Sequence, residues 1–144
     1  MCMKAKQVSV FLENKLGRLN EVAQILGEAG VNISAFTVAD TSDFGVLRLI
    51  VSDSEKACDV LKANHFSVRT TDVVLVKSSN RPGALSKMLS ILNSEGIFIE
   101  YLYAFSMDED MAVFVVRPTD VDKCLEKLHR HKGELLDNGQ SCQE

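Results

Sequence analysis

Two short segments hold the residue types that could grip a small charged molecule. One reads Ser79-Asn80-Arg81-Pro82-Gly83-Ala84-Leu85, the other Glu13-Asn14-Lys15-Leu16-Gly17-Arg18-Leu19. Each places an asparagine, a basic residue and a glycine just before an amphipathic helical pattern. Glycine lets the backbone turn sharply or approach a ligand closely. The first amides of the following helix are unpaired, and the positive end of its dipole points at the turn. Such an end suits an anion, and the α-carboxylate of a free amino acid qualifies. Asparagine adds a donor and an acceptor. The competing reading of both turns is a structural tight turn without a ligand.

Other chemistry is thinly supplied. His129 and His131 stand two apart on a helical pattern and so do not share a face, and His65 has no carboxylate cluster nearby. No metal or other cofactor is expected. Cys58 and Cys124 fall on the inner faces of helical patterns and read as small buried hydrophobes, whereas Cys2 and Cys142 lie near the ends. Asp108, Glu109 and Asp110 cluster in a turn and read as a solvated loop; Glu100, on a strand, is either a surface charge or a partner for a ligand ammonium or for Arg18 or Arg81. No nucleophile-and-base or acid-and-base constellation stands out, so the chain is not expected to be an enzyme.

A formal net charge of −4, the absence of Trp and the aromatic-free strand Val46–Val51 argue against nucleic acid as a partner. No apolar run approaches the roughly 18 residues that cross a bilayer, and the first residues lead into an alternating pattern rather than a signal-peptide core. A cytoplasmic protein with free thiols and no membrane partner is expected.

The elements that would position the two turns occur twice. With Gly17 over Gly83, an offset of 66, Asn14 meets Asn80, Leu19 meets Leu85, Ile25-Leu26 meets Ile91-Leu92, Gly30 meets Gly96 and Ile33 meets Ile99. The register runs without a gap to about Val51, where Pro118 reads as one inserted residue and an offset of 67 then pairs Ser52 with Thr119 and Leu61 with Leu128. In the first copy Gln7–Leu12 alternates as a strand, and Leu19, Val22, Ala23, Leu26 and Ala29 form a helical stripe that Gly30 ends. Strands follow at Val31–Ala39 and Phe44–Val51, joined by a turn at Thr41–Asp43. Ser52 opens a second helix in a capping-box pattern, and Phe66–Thr70 is a last strand. The second copy repeats this with strands at Val73–Lys77, Ile97–Phe105, Met111–Arg117 and Gly133–Leu136, and helices opening near Ala84 and at Thr119; Asn138–Glu144 reads as a tail. The prediction is α+β: two ferredoxin-like βαββαβ units, 1–71 and 72–144, each an antiparallel sheet with both helices on one face, packed side by side across a minimal linker at Thr70-Thr71-Asp72.

The turn Asn80-Arg81-Pro82-Gly83-Ala84-Leu85 and the junction Gly30-Val31-Asn32-Ile33-Ser34 resemble the ACT family of regulatory domains. The departures are Lys15-Leu16 in place of Arg-Pro and Phe98 in place of Asn. The resemblance extends over nearly the whole chain, twice, and is greatest to stand-alone tandem ACT proteins. It implies a non-catalytic module that binds a free amino acid at the seam between its two domains, forms a homodimer and signals occupancy to a metabolic enzyme. One implied site uses Asn14, Gly17, Arg18 and Leu19 with Phe98 and Ile99. The other, pairing both well-matched halves, uses Asn80, Arg81, Pro82, Gly83, Ala84 and Leu85 with Asn32 and Ile33. The alternative function is a ligand-independent protein-interaction adaptor on the same fold.

Overall fold

The computed structural model describes residues 2–13, 15–40 and 44–131. Asn14, the turn Thr41–Asp43, the strand expected at Gly133–Leu136, Cys142 and the tail Asn138–Glu144 lie outside the described residues. In chain order the elements are β1 (Cys2–Glu13), α1 (Arg18–Glu28), β2 (Ile33–Asp40), β3 (Phe44–Val51), α2 (Ser54–Ala63), β4 (Ser67–Ser79), α3 (Ala84–Ser94), β5 (Ile99–Ser106), β6 (Met111–Pro118) and α4 (Val121–Arg130). They group into a first unit, Lys6–Thr71, and a second, Met1–Ala5 with Asp72–Glu144. Strand order is β2-β3-β1-β4 in the first unit and β1-β4-β6-β5 in the second. The registered neighbours within each unit pair antiparallel. The class is α+β, with two ferredoxin-like units.

The core of each unit follows from strand parity. In the first, Val8, Val10, Leu12, Leu47 and Leu49 point to the side where α1 and α2 pack together, and meet Val22, Leu26, Ala57, Cys58 and Leu61. In the second, Val74, Val76, Phe114 and Val116 meet Met88, Ile91, Leu92, Cys124 and Leu128 from α3 and α4. Cys2 belongs to this second core; its carbonyl lies 3.1 Å from His129 Nε2, and Lys4 Nζ lies 3.3 Å from Asp122. Burial pushes the Cys58 thiol up, and pushes that of Cys124 up to about 12, with Cys2 and Asp120 adding to the latter.

The glycines expected to end the first helix of each copy do so. Val31 N–H donates to the Leu26 carbonyl and Gly30 N–H to that of Gly27, and Ile97 and Gly96 repeat this on Leu92 and Asn93. This is the paired closure of a Schellman motif, with a left-handed glycine at φ 74° and 71°.

Four sequence expectations are corrected. Strand β1 begins at Cys2 rather than Gln7. The strands expected on either side of Thr70-Thr71-Asp72 are one strand, β4, because no glycine or proline interrupts residues 67–79 and its threonines favour extended backbone. The caps of α2 and α4 are Asp53 and Asp120 rather than Ser52 and Thr119. Each carboxylate accepts the backbone N–H three residues on, at 3.0 Å, and a carboxylate also meets the helix dipole. Finally, the inserted residue is not Pro118. Val8 pairs with Leu49, and Val74 with Val116, so the offset is already 67 in β6. The extra residue belongs to the β5–β6 hairpin, where four residues separate the strands against three between β2 and β3.

Candidate functional site

The two turns share one backbone shape. Gly17 has φ 90° and ψ −9°, Gly83 φ 89° and ψ −11°, both left-handed. Each is the N-cap of its helix and, as glycine, offers no side chain to cap it. A Cβ at either position would meet nothing within 4 Å, so backbone conformation rather than crowding is the need for glycine. The Gly17 carbonyl accepts from Glu21 N–H at 2.9 Å, and that of Gly83 from Lys87 N–H at 3.0 Å.

The electrostatics of the turns differ. In the first, Lys15 Nζ sits 2.9 Å from Glu13, and this bond, with the lysine's charge, holds the Glu13 carboxyl below the usual range. Arg18 is committed elsewhere: it pairs with Glu21 at 3.0 Å and stacks 4.2 Å over the Phe66 ring, and its buried Nε has no hydrogen-bond partner among the described residues. In the second turn Ser79 stands where Glu13 stood and Ala84 where Arg18 stood. Arg81, the counterpart of Lys15, has no ion-pair partner among the described residues.

A cavity of about 290 Å³ opens beside the second turn, lined by Asn80, Arg81, Ala84 and Leu85 together with Phe105 and Phe114 among others. Pro82 and Gly83 shape the turn without lining it. Strand β5 supplies lining that sequence reasoning missed: Ala104, Phe105 and Ser106. The first unit holds a smaller cavity, about 140 Å³, at the start of α1. Its lining is apolar throughout, with Leu19, Val22, Ile33, Phe36, Leu47 and Leu49 among its residues. Leu19 and Ile33 therefore meet within one unit. Leu19, expected on the helical stripe and as a ligand contact, is 45% exposed at that cavity's rim.

Asn32 is exposed, and its backbone is fixed by Ser52, whose Oγ accepts from Asn32 N–H and whose N–H donates to the Asn32 carbonyl, both at 2.9 Å. In the second unit Thr119 N–H donates to the Phe98 carbonyl at 3.0 Å, leaving the Phe98 side chain 76% exposed; Ile99 packs against the core. Glu100 lies 3.7 Å from Arg117. His131 Nε2 lies 3.2 Å from Glu95. Among the described residues no three of His, Cys, Asp and Glu gather as metal ligands. Nor, among them, is any helix long and apolar enough to cross a membrane.

A ferredoxin-like module in duplicate, each copy opening its first helix on a left-handed glycine, is the class that fold and turns define. The chain belongs to the ACT domain pair family, whose model matches residues 3–141. A crystal structure of a protein from Bacteroides thetaiotaomicron is similar at 51% identity and a TM-score of 0.86, with 91% of this chain and 90% of that one covered. The ligand-free regulatory subunit of aspartate kinase from Thermus thermophilus shares the fold at 14% identity and a TM-score of 0.63, over 90% of this chain and 95% of that one. An acetolactate synthase small subunit from Buchnera aphidicola subsp. Baizongia pistaciae is 27% identical over 111 residues, 64% of this chain and 68% of that protein.

Proposed function

We propose that the chain is a non-catalytic regulatory module that binds a free amino acid and passes its occupancy to a metabolic enzyme. One observation carries the reading: Arg81, without an ion-pair partner among the described residues, lines a cavity at the uncapped start of α3. A cation and the positive end of the helix dipole suit a carboxylate, although the Ala84 N–H already donates to the Arg81 carbonyl at 3.1 Å; Asn80 suits an ammonium, and Leu85, Phe105 and Phe114 suit an aliphatic or aromatic side chain. Membership of the ACT domain pair family supports the reading, as does similarity to chains named as regulatory and small subunits. Asn32, Ile33, Phe98 and Ile99 are proposed as further contacts on the family resemblance alone, and homodimerisation likewise; a cytoplasmic location is proposed on the sequence pattern.

The test is a thermal-shift screen of the full chain against the twenty common amino acids, followed by calorimetry. A ligand at 100 times its dissociation constant adds about 2.7 kcal/mol, several degrees for a chain of this size. A selective shift lost in Asn80→Ala and Gly83→Val supports the sensor; a flat screen of folded protein overturns it. The second reading, a ligand-independent adaptor, is favoured by the apolar rim of the first unit, where Leu19, Phe36 (63%) and Val38 (45%) stay exposed beside the smaller cavity.

A further inference from the structure

Asn80 is held by the β5–β6 hairpin rather than by its own turn. Its backbone N–H donates to the Asp110 carbonyl at 2.8 Å, and its side-chain Nδ2 to the Asp108 carbonyl at 3.4 Å. A carbonyl can only accept, so the Asn80 atom that faces Asp108 is the amide nitrogen. Oδ1, with two lone pairs, is then left as the acceptor at a residue that lines the cavity.

One carboxylate braces the hairpin from within. Asp108 Oδ1 accepts from the backbone N–H of both Asp110 and Met111, each at 2.8 Å. Met107 N–H closes the hairpin on the Met111 carbonyl at 3.0 Å. These bonds set where the carbonyls of Asp108 and Asp110 stand, and those carbonyls set Asn80. The hairpin is also where the second copy carries its extra residue, so the arrangement has no equal-length counterpart in the first copy.

We infer that Asp108 is a positioning residue for ligand orientation: through the hairpin it turns the Asn80 amide oxygen toward the ammonium of a bound amino acid, while the Arg81 guanidinium and the positive end of the α3 dipole take the carboxylate. The inference rests on the amino-acid reading above and deepens it by assigning each end of the ligand to a named group. An acceptor oxygen rewards an ammonium over a hydroxyl, because a hydrogen bond to a charged donor is the stronger one. Asp108 touches no ligand itself.

The experiment uses the full chain, every common amino acid that raises its melting temperature, and the matching 2-hydroxy acid in which hydroxyl replaces ammonium. The wild type is expected to prefer the amino acid by roughly tenfold or more, the factor that 1.4 kcal/mol gives. Asp108→Ala collapses that preference by weakening the amino acid and sparing the hydroxy acid. Asp108→Asn, which keeps a side-chain oxygen for the two hairpin amides, retains it. Asn80→Ala collapses the preference too, and adding Asp108→Ala to it changes little further, as expected of two residues acting as one unit. Equal weakening of both compounds in Asp108→Ala, or an unchanged preference, overturns the inference and leaves the amino-acid reading standing. If no amino acid shifts the wild type, the amino-acid reading falls and this inference falls with it.

Discussion

The first and second turns start from one backbone and end as different chemistry. Their glycines agree to within a few degrees, yet Lys15 is neutralised by Glu13, whereas the second turn has Ser79 in the place of Glu13. The cavities differ in the same sense, one wholly apolar and the other lined in part by Ser79, Asn80, Arg81 and Ser106. A duplicated fold preserves the backbone that makes a helix start available. Two or three side chains around it decide whether that start presents usable charge. The Lys15–Glu13 pair is solvent-exposed and worth little to stability; its consequence is the removal of a free cation from the first turn.

The comparison breaks most severely if the two cores are not equivalent. Leu61→Ala and Leu128→Ala, matched by the repeat and both fully buried, are each expected to cost about 2–5 kcal/mol, read from chemical denaturation. A large inequality would mean that the units share topology without sharing stability. The comparison is sharpened by making the second turn like the first. Ser79→Glu is expected to pair with Arg81 and weaken amino-acid binding tenfold or more by calorimetry, since a charge-assisted contact is worth about 1.5–3 kcal/mol. Glu13→Ser is expected to leave that binding unchanged. Next come the glycines: Gly17→Ala and Gly83→Ala each force a side chain into left-handed backbone, at about 1–2 kcal/mol, with equal losses in melting temperature and only Gly83→Ala lowering ligand affinity. Smallest is the thiol effect. With its pKa raised to about 12, Cys124 is expected to resist alkylation at pH 8 in the native chain and to react on unfolding, as mass spectrometry would show. The folded thiol holds its proton more tightly than the unfolded one. Its contribution to stability is therefore full below the ordinary thiol pKa and lost as the pH rises from there toward about 12.

The repeat, the helix ends and the two glycine turns were legible because each needs a particular residue at a fixed spacing. Gly30 and Gly96 close their helices where a left-handed residue is required, and the alternation Val8, Val10, Leu12 gives the core face of β1 directly. Registration of the second half was not legible. Residues Met111–Val116 are apolar without a break, so they carry no period-2 phase; only the pairing of Val76 with Phe114 reveals which of them face the helices. Likewise nothing between Val68 and Val73 marks one long strand against two short ones until the hydrogen-bond partners are known. At the site, the turn residues lie together in sequence, but Ala104, Phe105 and Ser106 reach the cavity from nineteen or more residues away. The caps were missed by one position because Ser52 and Asp53 both suit an N-cap, and the extended backbone of Asp53 decides between them.

Residues 2–5 complete the second unit, and that fixes an order of events during synthesis. The contact of Cys2 with His129 spans 127 positions in the chain. A ribosome must therefore produce almost all of the described chain before residues 2–5 can settle. Meanwhile Lys6–Thr71 already contains every strand and helix of the first unit. Closing so long a loop adds only slowly to the entropic cost, as the logarithm of its length, but it delays the event. The nascent protein is thus expected to carry a finished first unit while residues 2–5 stay unsatisfied until α4 has been made.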